Sequence, residues 1–148
     1  EIDYDVNGKK RTVTDFIYDS ENRLTNKTTT DFSRNRTTET TFKRDNKGSV
    51  LEETVSINAA PFSRKIYEVN SNEKVTKTTA FNRYNQTDYE LTYTYNAEGN
   101  IESESYYYNS ELITKKEYIY DENGNITKQD NFERGKLINS VNFEYTCF

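Results

Sequence analysis

The chain repeats itself. Five segments superimpose without gaps: FIYDSENRL (16–24), FKRDNKGSV (42–50), YEVNSNEKV (67–75), YTYNAEGNI (93–101) and YIYDENGNI (118–126). Their Asx residues, Asp19, Asp45, Asn70, Asn96 and Asp121, stand 26, 25, 26 and 25 residues apart. A sixth copy opens at Phe143-Glu144-Tyr145. A period of this length means that one small unit is stacked many times, each copy resting on its neighbours.

The columns of the repeat have physical meaning. The first is aromatic: Phe16, Phe42, Tyr67, Tyr93, Tyr118 and Phe143. The last is aliphatic: Leu24, Val50, Val75, Ile101 and Ile126. Between them Asp or Asn opens a polar turn, where its side chain can accept from the backbone two residues on. Three residues later stand Asn22, Gly48, Gly99 and Gly124, residue types that tolerate positive φ. Glu73 breaks that column and predicts a strained or differently built turn. The opening segment Tyr4-Asp5-Val6-Asn7-Gly8 copies the same turn. A second, looser turn is expected midway, near Ser33–Asn35, Asn58–Pro61, Asn82–Asn85, Asn109–Glu111 and Glu133–Gly135.

Turns therefore recur every 12–13 residues, separated by segments rich in Thr, Tyr, Val and Ile that alternate with period two. In Tyr89-Leu91-Tyr93-Tyr95 every large group falls on one face, with Asp88, Glu90, Thr92 and Thr94 on the other. No 3.6-residue stripe suggests a helix. The expected fold is all-β: an antiparallel meander of about 12 strands in a single domain, residues 1–148, forming one curved or coiled sheet. The pattern favours one well-packed aromatic face and one solvated face.

Composition excludes several chemistries. There is no His, so no Ser–His or Cys–His pair and no His metal ligand. Cys147 is the single cysteine, so an intrachain disulfide is impossible; its phase in the tail suggests a buried free thiol. With 20 basic against 25 acidic residues, the chain is a poor candidate for nucleic acid. No run of about 18 apolar residues marks a transmembrane segment. No apolar leader opens the sequence, which fits a signal peptide already removed.

The pattern Tyr-Asp-x-x-Gly-Asn-Ile stands in full at residues 120–126, with close variants at 95–101 and 18–24. It resembles the YD repeat of the Rhs family. In that family such repeats build a long β-sheet that coils into a shell, and related sheets occur in surface adhesion proteins. The resemblance implies a structural sheet in a secreted or cell-surface bacterial protein.

Function is expected to lie in contact rather than catalysis. Glu102 and Glu104 are expected to share a strand face, but a glycosidase needs two carboxylates facing across a cleft. The Asp121–Asn125 turn is acidic, yet Phe132 stands where a calcium loop of the EF-hand type needs Glu. No catalytic residue, metal site or cofactor is expected. The densest aromatic run, Tyr106-Tyr107-Tyr108, sends Tyr107 towards a column with Phe81 and Phe132. Tyr106 and Tyr108 are expected to join Ile113 and Ile119 in a patch for a protein partner, or for a glycan in an adhesin. An open meander also has two edges. The first is guarded by Glu1, Asp3 and Asp5; the last carries Leu137, Val141, Phe143 and Tyr145 and is expected to pair with another chain or a larger assembly.

Overall fold

The computed structural model describes residues 1–145; Cys147 and the tail beyond Tyr145 lie outside the described residues. Twelve strands form one open antiparallel meander: β1 (Ile2–Tyr4), β2 (Lys10–Tyr18), β3 (Leu24–Asp31), β4 (Arg36–Arg44), β5 (Val50–Ile57), β6 (Ala60–Val69), β7 (Val75–Phe81), β8 (Thr87–Tyr95), β9 (Ile101–Tyr108), β10 (Glu111–Tyr120), β11 (Ile126–Glu133) and β12 (Lys136–Asn142). Each strand pairs only with its sequence neighbours. Among the described residues there is no helix.

Each repeat contributes one hairpin closed by its Asx turn. Asp19 Oδ1 accepts from the amides of Glu21 and Arg23, both at 2.9 Å. The Asn22 amide donates to the Asp19 carbonyl at 3.1 Å. The same bonds recur at Asp45, Asn70 and Asp121. At Asn96 the side chain holds the Asn100 amide. Glu73 does not build a different turn. It occupies the glycine column at φ 62°, with its amide donating to the Asn70 carbonyl like its counterparts. The strain expected of this position is therefore real, and it is stored in a left-handed glutamate.

The opposite end of the sheet is more varied. Asn58-Ala59, Asn109-Ser110 and Arg134-Gly135 each place two successive residues at positive φ, the two-residue turn that matches strand twist. Beyond the Asp31 turn, where Oδ1 accepts from the amides of Ser33 and Arg34, two further turns here are of the Asx type. Asp5 is one, as its sequence predicts. Asn82 is the other: its Oδ1 accepts from the amides of Tyr84 and Gln86, and Asn85 takes φ 59°. The sequence grouping of Asn82 with the looser turns is corrected on this point. Pro61 lies within β6 rather than in the turn, opposite Ser56 beside a register shift.

A bulge flanks every repeat turn, with its extra residue on the strand that follows. Tyr18, Arg44, Val69, Tyr95 and Tyr120 pair with Leu24, Val50, Val75, Ile101 and Ile126 across a shift of one residue. The extra residue is often threonine. Thr25, Thr76 and Thr127 return their hydroxyls to the carbonyls of Ile17, Glu68 and Ile119 at 3.1–3.3 Å. Bulges increase local twist.

Directly opposed residues share a face. The register Phe42↔Glu53, Tyr67↔Thr78 and Tyr93↔Glu104↔Lys116 carries the aromatic column along one side, the tyrosine face. Asn26↔Thr41↔Thr54 and Thr92↔Ser105↔Lys115 mark the other, the threonine face. The alternation expected of β8 is present. The well-packed aromatic face is not. Among the described residues only Ala80, Thr78 and Ser105 are buried, and no large side chain is fully enclosed. The reason is architectural: no second layer covers either side of the sheet, so the aromatic rings are only half-buried by their lateral neighbours.

Candidate functional site

The tyrosine face is organised by hydroxyl groups. Tyr95 donates to the Val75 carbonyl at 2.7 Å, Tyr120 to the Ile101 carbonyl at 2.6 Å and Tyr145 to the Ile126 carbonyl at 3.0 Å. Each donor is the residue before the turn position, and each acceptor is the aliphatic residue of the preceding repeat. In the second repeat Arg44 takes the donor's place and reaches the Leu24 carbonyl at 3.2 Å. Val69 alone interrupts this ladder. It has no donor to give, and the Val50 carbonyl has no side-chain partner among the described residues.

A second set of bonds lies beside the ladder. Tyr67 donates to Glu53 at 3.1 Å, and Tyr118 donates to Glu104 at 2.7 Å. Burial and the adjacent Glu53 carboxylate push the Tyr67 hydroxyl up to about 12. Burial and Glu104 raise the Tyr118 hydroxyl in the same way. Burial alone would raise the Glu104 carboxyl. The hydrogen bonds from Tyr118 and Lys116, the latter at 3.0 Å, outweigh that and hold it below the usual carboxylate range. Glu104 is thus a fixed acceptor, while Glu102 sits at a bulge and reaches Thr94 at 3.5 Å. In the Asp121 turn both carboxylate oxygens are used locally, by the amides of Asn123 and Asn125 and by Asn125 Nδ2.

The turns also touch one another across repeats. Lys74 Nζ donates to the Gly99 carbonyl and lies 5.3 Å from the centre of the Tyr95 ring. Lys47 approaches Glu73 at 3.9 Å. A Cβ on Gly99 would meet Lys74 Nζ, and one on Gly48 would meet Arg23 Nη1 at 3.3 Å. Both atoms are the far ends of flexible side chains that can move aside, so positive φ is the firmer demand on this column.

The four residues expected to form a partner patch do not share a face. Tyr106 opposes Leu91 and Thr114 on the tyrosine face, where its ring centre lies 5.8 Å from that of Tyr89. Tyr108 follows it by alternation and is exposed. Ile119 opposes Lys128 on the threonine face. The cause is a bulge: the register jumps between Leu112 and Thr114, leaving Ile113 unpaired and reversing the phase of all that follows. Tyr107, Phe81 and Phe132 do share one side, but it is the threonine face, where Arg64 stacks 4.5 Å above Phe81.

The edge residues are more coherent. Leu137 and Val141 lie on β12, whose outer side has no partner strand among the described residues. Phe143 and Tyr145 follow it. The Phe143 amide donates to Thr127, and Tyr145 completes the ladder. Leu137, Ile138, Val141, Phe143 and Tyr145 are all substantially exposed. Among the described residues no helix is long and apolar enough to cross a membrane.

No protein-family model matches this sequence, and no curated protein matches it. Among solved structures, a chain of the crystal structure of TcdB2-TccC3-Cdc42 is similar over 87% of this chain and 10% of its own length. The identity is 13% and the TM-score 0.31. This chain thus spans about a tenth of that one, and the description of the fold rests on its own strand register.

Proposed function

We propose that this chain is a non-catalytic interaction module of YD-repeat type within a secreted or cell-surface bacterial protein. It contacts protein partners through a face of its sheet and through the β12 edge, as part of a larger extracellular assembly. The observation that carries this reading is the bare outer edge of β12. Its main-chain donors and acceptors have no strand to meet among the described residues, and along β12 only Lys136, at its start, supplies the kind of charge that normally guards an edge. The β1 edge is also partly apolar, with Ile2 and Tyr4 exposed, but there Glu1, Asp3 and Asp5 alternate with them.

Hydrogen exchange tests it. In the isolated monomer the amides of residues 137–142 should exchange much faster than those of β7. Pairing with a partner should slow them selectively. Equal protection of β12 and β7 in a monomer of verified mass would remove the basis for edge pairing.

A further inference from the structure

The break in the hydroxyl ladder at Val69 leaves a cavity. It is open on the tyrosine face, has a volume of about 590 Å³, and lies between β4 and β6 above the start of β5. Phe42, Val50, Val69 and Val75 give it apolar surface, and Arg44 and Tyr67 form parts of its wall. Its place in the repeat is that of a missing ring. Two repeats in which the column residue is tyrosine have that ring reaching back to the aliphatic residue's carbonyl, Tyr95 to Val75 and Tyr120 to Ile101. Here the ring is absent, and the Val50 carbonyl is left without a side-chain donor.

A second orphan stands in the same wall. Arg44 spends Nη1 on the Gly48 carbonyl at 2.8 Å and Nη2 on the Leu24 carbonyl, but its Nε is buried with no hydrogen-bond partner. A buried donor of this kind is costly and calls for an acceptor. Nε itself is shielded from the opening, so what the cavity presents is apolar surface and the Val50 carbonyl as an acceptor. A phenolic hydroxyl offers a donor on an apolar ring.

We infer that this cavity is a binding site for a tyrosine side chain presented by a partner polypeptide, which takes the place that Tyr95 and Tyr120 occupy in their own repeats. The occupant is argued from those repeats, where the chain fills the equivalent position with its own tyrosine. The site is distinct from the β12 edge and does not depend on edge pairing.

The test uses the whole chain with isotope-labelled valine and leucine methyls. N-acetyltyrosinamide should shift the Val50, Val69 and Val75 methyls saturably and leave those of Leu112 and Leu137 unmoved. N-acetylphenylalaninamide should bind about five-fold more weakly, the worth of one net hydrogen bond. Val69→Tyr should fill the cavity from within, abolish these shifts and raise the denaturation midpoint. Val69→Phe should also block binding and serves where Val69→Tyr does not fold. Absence of saturable shifts in the unsubstituted chain would overturn the inference. So would equal binding of the two amides, or tyrosinamide binding retained in a folded Val69→Tyr or Val69→Phe chain.

Discussion

Removing a single oxygen atom tests whether the hydroxyl ladder holds adjacent repeats together. Tyr95→Phe deletes the bond to the Val75 carbonyl and leaves the ring in place. Tyr120→Phe does the same at Ile101. Both bonds are short and partly buried. The net worth of such a bond is about 1 kcal/mol, between the cost of desolvating the hydroxyl and the loss of its partner. The two sites are one repeat apart, two strand spacings or roughly 10 Å, so their effects should add to about 2 kcal/mol. With a urea dependence of about 2 kcal/mol per molar, each single variant should lower the midpoint by roughly 0.5 M. Tyr18 supplies the control. It fills the same column, but its hydroxyl makes no hydrogen bond among the described residues and the residue is 52% exposed. Tyr18→Phe should leave the midpoint unchanged. If Tyr18→Phe and Tyr95→Phe cost the same, the ladder bonds contribute nothing and the reasoning fails.

Three further outcomes follow from the same geometry. Glu73→Gly should stabilise the chain by about 0.5–1 kcal/mol, because relief of a left-handed glutamate outweighs the extra freedom of glycine in the unfolded chain; an unchanged or lower melting temperature would contradict it. Asn96→Ala should cost about 1 kcal/mol by depriving the Asn100 amide of its acceptor, whereas Asn96→Asp should be nearly silent in the same denaturation assay, since aspartate fills this column at Asp19, Asp45 and Asp121. Tyr67 is raised from 10.0 to about 12 in the fold. Its contribution is thus complete below pH 10 and is lost as pH rises through the folded value. Circular dichroism should show unfolding between about pH 10 and 12, accompanied by phenolate absorption, and Tyr67→Phe should move the onset upward.

The strand order was the most legible part of this fold, because a single repeated motif states both the hairpin and its register. An aromatic residue, an Asx three positions on and an aliphatic residue five beyond that fix where the chain reverses, and short connections leave a meander as the simple topology. Asn82 shows where the reading stopped. Asn82-x-x-Asn85 has the spacing of Asp19-x-x-Asn22, but it lies half a period out of step and so reads as one of the looser turns. The partner patch failed for a related reason. Period-two alternation is reliable only while the register is unbroken, and a bulge at Ile113 leaves no mark in composition that counting can detect. The hydroxyl ladder was hidden more deeply. Tyr18, Tyr95 and Tyr120 look alike in the sequence, and only the strand that precedes each decides whether its hydroxyl meets a carbonyl.

The position of the ladder explains how so thin a sheet keeps its strands in line. Ala80 is the single buried apolar residue among the described residues, so apolar burial at about 25 cal/mol per Å² gives little preference for one lateral neighbour over another. Each hairpin is closed covalently by its Asx turn. At that same end of the sheet, adjacent hairpins have no covalent link; β7 and β8, for example, are joined only at the far end, through the Asn82 turn. Fraying between repeats would begin there. The bonds from Tyr95 to Val75, from Tyr120 to Ile101 and from Arg44 to Leu24 all span that gap. Lys74 reinforces it by reaching from one turn to the next. The pre-turn column is therefore a lateral fastening, and the gap at Val69 is the point where the fastening is left undone.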